Sequence, residues 1–237
     1  MLTKHLPQAR QGATLSFGVD YFEERYKTSS DPFLFESRWY EERKRRITLA
    51  ALPDQRYDNA FEPGCATGVH TLEFARRCKR VLAADFSESA LQHARRRYAQ
   101  EQDVDQLGRV DFSRLELPRD WPDEKFDLIA VLETLCYFER SDYREFVTKT
   151  VDSLIEGGIL LLVHWRPHDD TPLSADEVHL GFAEQPGLTL LSRHEEQFLL
   201  EVYGKGSAET FRSRPGLVAQ VEVRQQRSAP AAMTSDR

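Results

Sequence analysis

From Pro53 onward, short apolar runs ending in Gly, Asp or Glu alternate with amphipathic stretches, and no other feature of the sequence restricts its fold as strongly. A brief apolar run suits a buried strand, and a stretch of helical period after it lets the chain return and start a parallel neighbour. This reading places strands at 59–62, 81–85, 109–112, 126–132 and 159–164, with helices at 69–78, 87–101 and 141–154 between them. Ser87, preceded by Asp85 and followed by Glu88, has the chemistry of a helix N-cap. Two later runs, 188–194 and 198–203, are joined only by Glu195-Glu196-Gln197, a link too short for a crossover, so they form an antiparallel pair. The expected class is α/β, a mostly parallel Rossmann-like sheet of seven strands with a terminal antiparallel pair, preceded by N-terminal helices.

Residues 1–16 are polar, carry Pro7 and Gly12 and lack periodicity, so they read as a flexible leader. From 18 to 52 the apolar and aromatic positions recur with helical spacing, broken at Asp31-Pro32, which predicts two helices. Their aromatic face needs a partner, either the strand ends, over which they form a lid, or a second subunit; monomer and homodimer both remain open. One domain is expected over 17–206, and 207–237 reads as a flexible tail in which Leu217 to Val223 could form one more element.

The chain has 237 residues, 40% hydrophobic and 30% charged, enough for one sizeable core and a soluble surface. Its net charge of −7 argues against a nucleic-acid binder, which needs clustered Lys and Arg to displace counterions. The runs Arg43-Lys44-Arg45-Arg46 and Arg95-Arg96-Arg97 fall in helical patterns and read as solvated helix faces. Three cysteines, Cys65, Cys78 and Cys136, lack ligand spacing and imply reduced thiols in a cytoplasmic protein. No apolar stretch reaches the length of a bilayer span, so no membrane partner is expected. His168, His179 and His194 do not make metal-site spacing, so no metal is expected, and hydrolase elbows and Walker sequences are absent.

The segment Phe61-Glu62-Pro63-Gly64-Cys65-Ala66-Thr67-Gly68 closes the first strand immediately before a helix. Gly64 and Gly68 would let a ligand approach the backbone, although a tight strand-to-helix turn demands glycine even without one. Asp85 ends the next strand 21 residues after Gly64, where a carboxylate can accept both hydroxyls of a ribose. Those two features fit a nicotinamide cofactor as well as S-adenosylmethionine. The loop lacks Gly-x-Gly-x-x-Gly, and an anionic Glu62 beside it would repel a pyrophosphate while suiting the amino-acid portion of S-adenosylmethionine.

These residues resemble the class I S-adenosylmethionine-dependent methyltransferases and, among them, the nodulation protein S (NodS) type. The resemblance runs through Asp31-Pro32, Trp39-Tyr40-Glu41, Arg43-Lys44, the Glu62 to Gly68 loop, Phe126-Asp127-Leu128-Ile129 leading to Glu133, and Gly157-Gly158. It continues in Val163-His164-Trp165-Arg166, the Leu173 to His179 segment and Arg193-His194-Glu195-Glu196. It implies that Glu62, Gly64 and Gly68 line the methionine end, Asp85 the ribose and Glu116 the adenine amino group. It also implies N-methylation of an amino sugar, an oligosaccharide amine or another small amine.

Ligands of open parallel sheets lie beyond the carboxyl ends of the strands, which puts Glu133, Thr134, Tyr137, His164, Trp165 and Arg166 near the methyl acceptor. Glu133 and His164 are the candidate bases for an ammonium proton, and each also has a structural reading, as a cap or a core hydrogen bond. Tyr137 and Tyr40 could stack on a sugar or a cation, and Arg43 could pair with the methionine carboxylate. Competing functions are an O-methyltransferase of a small metabolite or sugar, a non-catalytic S-adenosylmethionine-binding protein and an NAD-linked oxidoreductase.

Overall fold

The computed structural model describes residues 18–101, 106–167, 171–212 and 214. Two helices, α1 (Val19–Thr28) and α2 (Trp39–Ala50), precede the alternating region, as the break at Asp31-Pro32 predicts. There follow β1 (Tyr57–Pro63), α3 (Val69–Ala75), β2 (Cys78–Asp85), α4 (Glu88–Ala99), β3 (Arg109–Arg114) and β4 (Phe126–Leu132). The second half comprises α5 (Arg140–Ser153), β5 (Leu154–Trp165), α6 (Ala175–Ala183), β6 (Leu188–Glu195), β7 (Phe198–Lys205) and α7 (Ala208–Phe211).

The seven strands form one sheet in the order β3-β2-β1-β4-β5-β7-β6. β1, β2, β3, β4 and β5 pair in parallel, whereas β7 runs antiparallel to both β5 and β6. Strand direction explains the burial. Val81 and Ala83 pack on one face with Phe74 and Leu128, while Leu82 and Ala84 pack on the other with Phe61 and Phe146. Alternation of this kind with both faces covered is what a parallel sheet between helical layers requires.

The order reverses between β1 and β4, so the carboxyl ends of β1, β2 and β4 diverge and leave a crevice. α1 lies across it, with Phe22 and Tyr26 packed against Ala90, Phe86 and Tyr137. α2 is more than a lid, because Tyr40 and Ile47 join the main core and Glu41, Lys44 and Thr48 are buried. The reading of Arg43-Lys44-Arg45-Arg46 as a solvated face therefore fails at Lys44, which is 2% exposed.

Two further elements depart from the sequence reading. α6 was not expected, although Ser174 and Glu177 form a complete capping box at its start. The domain also continues past 206: Phe211 is buried in the space left open at Gly204, and Arg214 pairs with Asp54 at 2.5 Å. The leader 1–16, His168 and the Leu217 to Val223 stretch lie outside the described residues.

Candidate active site

The β1–α3 loop is built on two left-handed glycines with different duties. Gly64 has φ of 75°, and a Cβ there would stand 2.4 Å from Thr134 Oγ1. Gly68 has the same φ, but its Cβ would meet Ala94 of α4 at 2.9 Å. Gly64 lines the cavity and Gly68 does not. The second glycine thus serves the α3–α4 contact rather than a ligand, which is the reading a tight turn alone would give.

Asp85 ties this loop to α4. Its Oδ2 accepts the Ala66 N–H at 3.0 Å and its Oδ1 accepts the Ser87 N–H at 2.9 Å. Ser87 is the N-cap of α4, and its hydroxyl accepts from Ala90 N–H. Burial nevertheless raises the Asp85 carboxyl to about 6, against the pull of the Ser87 and Ala66 donors. Glu62 is 3% exposed and accepts from the Thr71 hydroxyl; burial takes its carboxyl up to about 8, so it is mostly protonated at neutral pH.

These groups border a cavity of ≈ 350 Å³ over the ends of β1, β2 and β4. Phe22, Tyr26, Phe33 and Phe35 roof it, and Gly64, Cys65, Ala66 and Thr67 form its floor. The roof is fastened by Glu23, whose carboxylate accepts from the Ser87 and Ser89 hydroxyls at 2.5 and 2.6 Å. The Thr67 hydroxyl is buried without a hydrogen-bond partner among the described residues, an arrangement that fits a polar ligand rather than a dry packing site.

Beyond β4 the backbone turns sharply: Glu133 has φ of 54°, and a single 3-10 turn spans Leu135–Tyr137. Glu133 faces the cavity with Lys44 Nζ on one oxygen at 2.5 Å and the Trp165 N–H on the other at 2.9 Å. Lys44 also touches Glu41 at 2.8 Å. Burial pulls the Lys44 ammonium down, but Glu133 and Glu41 outweigh it and hold it charged. Tyr137 lines the same wall, its ring edge-on to Phe22 at 5.1 Å, and burial keeps its phenol protonated well above the usual range.

The structure thus brings together Glu62, Gly64, Asp85, Glu116, Glu133 and Tyr137 around one space. Glu116 sits half-buried at the edge, hydrogen-bonded to Arg119 at 2.7 Å. Besides Gly68, three expected site residues stand elsewhere. Arg43 makes a two-pronged pair with Glu196, at 2.6 Å on each side, and cannot reach a ligand in that arrangement. Tyr40 packs edge-on to Phe198 in the core. His164 is fully buried behind the cavity, where Nε2 accepts from Leu135 N–H and Nδ1 faces His179.

Sequence reasoning passed over Glu41, Lys44, Thr67 and His70, all of which line the cavity. His70 is neutral at physiological pH, because burial, with Lys44 and Arg45 nearby, lowers it to about 3. A pair such as Glu41 and Lys44, three apart on a helix, is visible in the sequence, but its inward direction is not.

A seven-stranded sheet with one antiparallel strand inserted before its last neighbour, and a nucleoside-sized cavity at the reversal point, define a class I S-adenosylmethionine-dependent methyltransferase. The methyltransferase-domain family matches residues 60–158. A solved protein from Pseudomonas syringae assigned to the methyltransferases is 40% identical, over 70% of this chain and 99% of that one, with a TM-score of 0.59. The chain belongs to this family, whose cofactor is S-adenosylmethionine. Nodulation protein S of Rhizobium tropici is 27% identical over 139 residues, which cover 58% of this chain and 56% of that protein. The chain spans about half the length of the curated relatives it matches. The N-methyltransferase NodS of Bradyrhizobium japonicum WM9, solved with S-adenosyl-L-homocysteine, shares the fold at 22% identity and a TM-score of 0.69, over 79% of this chain and 98% of that one. Among the described residues, no helix is long and apolar enough to cross a membrane.

Proposed function

We propose that this chain transfers a methyl group from S-adenosylmethionine to the nitrogen of a small amine, an amino sugar being the first class to test. The observation that carries this reading is an acidic cavity whose groups titrating nearest neutral pH, among the described residues, Glu62 and Asp85, are held by the Thr71 hydroxyl and by the Ala66 and Ser87 N–H groups. Among the described residues, Glu41, Asp85, Glu116, Glu133, Glu139 and Asp142 line it, with Glu62 mostly protonated, against a single ammonium, Lys44. Such a lining favours a cation or an amine over a carboxylate or phosphate acceptor. The NodS relative bears the name N-methyltransferase, which agrees with this choice.

An alcohol acceptor needs its hydroxyl proton removed at the moment of attack, and the best general base titrates near the working pH. Both Glu133 oxygens already accept hydrogen bonds, His164 is sealed off, and His70 is pushed down to about 3. An amine of α-amino type, by contrast, titrates near ~8, so an ammonium drawn in by the acidic lining can lose its proton to water and present its lone pair without a protein base. O-methylation is for that reason the second choice.

When bound, S-adenosylmethionine supplies a methyl group on a sulfonium sulfur, electrophilic toward an aligned lone pair. Asp85 is assigned to the ribose hydroxyls, Glu62, Gly64 and Thr67 to the methionine end and Glu116 to the adenine amino group. Glu133, held by Lys44 and Trp165, and Tyr137, held as a phenol, orient the N–H groups of the acceptor; alignment alone supplies much of the acceleration such a transfer needs. Cys65 and Cys78, buried and without a disulfide among the described residues, accord with a cytoplasmic setting.

The test is calorimetric titration with S-adenosylmethionine, S-adenosylhomocysteine and NAD, on the native chain and on Asp85→Ala, followed by labelled methyl transfer to D-glucosamine and to D-glucose. Binding of the first two ligands, lost in Asp85→Ala, with label on glucosamine alone, is the expected result. Label on glucose would favour the O-methyltransferase reading, and binding of NAD alone would defeat the whole assignment.

A further inference from the structure

Behind the acceptor side of the cavity, β5, α6, β7 and β6 meet around a buried polar chain. His164 on β5 is fully buried, and His179 on α6 and Glu201 on β7 are each 2% exposed. The two imidazoles stand edge to face, 5.2 Å between centroids. A backbone donor fixes the direction of the whole chain. Leu135 N–H points at His164 Nε2 across 3.4 Å, so Nε2 carries the lone pair and Nδ1 the proton.

His164 Nδ1 lies 3.2 Å from His179 Nε2, which must therefore accept. That leaves the His179 Nδ1–H to donate to Glu201 Oε2 at 2.8 Å. The Tyr203 hydroxyl donates to the same oxygen at 2.8 Å, and Arg193 Nη1 donates to Oε1 at 2.7 Å. Burial pushes the Glu201 carboxyl up, but His179, Tyr203 and Arg193 outweigh it and keep it ionised. Every group in the chain has one assignment.

Stability does not explain such an arrangement, since apolar residues of similar volume would avoid the desolvation that a buried charged chain incurs. Its inner end offers an explanation. Three successive residues of β5 hold the turn that carries Glu133, Thr134 and Tyr137. Val163 O accepts the Glu133 N–H at 2.8 Å, His164 Nε2 accepts the Leu135 N–H, and the Trp165 N–H donates to Glu133 Oε2. Only His164 contributes a side chain, so only there does residue type decide the contact.

We propose that His164, His179 and Glu201 form a positioning relay that sets the 133–137 turn against the methyl acceptor, with the His164 proton on Nδ1. The proposal rests on the methyltransferase reading of the cavity. It makes His164 a positioning residue, acting through the turn rather than on the substrate.

Long-range proton–nitrogen spectra of the histidine-labelled protein at neutral pH report each tautomer, assigned with His164→Asn and His179→Asn. Nδ1–H at both rings is expected, and Nε2–H at either one overturns the relay. Two substitutions then divide it. His164→Gln keeps an acceptor where Nε2 stood and drops the link to His179, whereas His164→Asn keeps the link and drops the acceptor. Hydrogen exchange across 133–137, S-adenosylhomocysteine affinity and methyl transfer to D-glucosamine are measured for both. The Asn variant should exchange the Leu135 amide faster and lose about tenfold in kcat, with the affinity preserved, while the Gln variant, its acceptor kept but no longer anchored on His179, loses about threefold; a Gln variant as fast as the native chain overturns the part given to His179 and Glu201. Equal losses in the two variants, or a parallel fall of kcat and affinity, overturn the proposal. If the native chain methylates no amine, the functional reading fails, and tautomers and exchange rates still decide the relay.

Discussion

With Glu62 at the methionine end, as proposed, its charge should change when the cavity fills. Its carboxyl, raised to about 8 by burial, is mostly protonated at neutral pH. The ammonium of a bound methionine portion favours the ionised form, so binding lowers this pKa and expels a proton. The sign follows: affinity for S-adenosylhomocysteine rises with pH up to about 8 and levels off above it. Calorimetry at neutral pH in two buffers of different ionisation enthalpy should register release of about one proton, and Glu62→Gln should abolish it. A heat independent of buffer in the native chain would contradict the assignment of Glu62 to the methionine end. The convergence of Glu62, Gly64 and Asp85 on one space was legible from sequence because strand ends and loop spacing are local. Lys44 was not, because its burial depends on Glu133, 89 residues away, and a basic run gives no sign of which member turns inward. His164 was legible as a special residue, a base or a core hydrogen bond, and nothing local distinguishes a ring facing the substrate from one facing His179.

At the scale of elements, the two glycines of the β1–α3 loop separate ligand from scaffold. Gly64→Ala and Gly68→Ala both force a left-handed backbone on a residue with a Cβ, at a cost of about 1–3 kcal/mol. Thermal unfolding should show both losses. Only Gly64→Ala should also weaken S-adenosylhomocysteine binding, because its neighbour is Thr134 on the cavity wall, whereas Gly68 meets Ala94 of α4. The strands and the order of helices could be read from periodicity, yet β5 begins at Leu154 rather than near 159. Gly157 and Gly158 interrupt its apolar pattern, so the early pairing with β4 carried no signal. α6 announces itself through Ser174 and Glu177, but its nine residues are too short a stretch to establish a helical period. α7 has four residues and could not show a period at all; what makes it structural is Phe211, 2% exposed. Phe211→Ala should cost about 3–5 kcal/mol in urea unfolding, the usual range for emptying a buried aromatic site.

Across the whole molecule, charge and access are arranged unevenly. The chain carries −7 overall, and the exposed Glu139 and Asp142 stand where the cavity meets solvent beside Tyr137. Encounter with a cationic acceptor should therefore weaken as salt screens this field, so that KM for D-glucosamine climbs with sodium chloride while S-adenosylhomocysteine affinity changes less. The inverse trend would point to an anionic acceptor. The other side of the cavity is covered, since α1 lies over the half proposed for the cofactor and Glu23 fastens it to Ser87 and Ser89, next to Asp85. That asymmetry sets a sequence of events over one turnover. With the nucleoside under α1, as proposed, methylated product should depart by the acidic side while α1 stays seated, and the demethylated nucleoside should wait for the helix to lift. Initial-rate studies should then find S-adenosylhomocysteine competitive with S-adenosylmethionine and non-competitive with the amine, and Glu23→Gln should speed the final release. The enzyme's throughput would be governed by one short helix and two serine hydroxyls rather than by the methyl transfer itself.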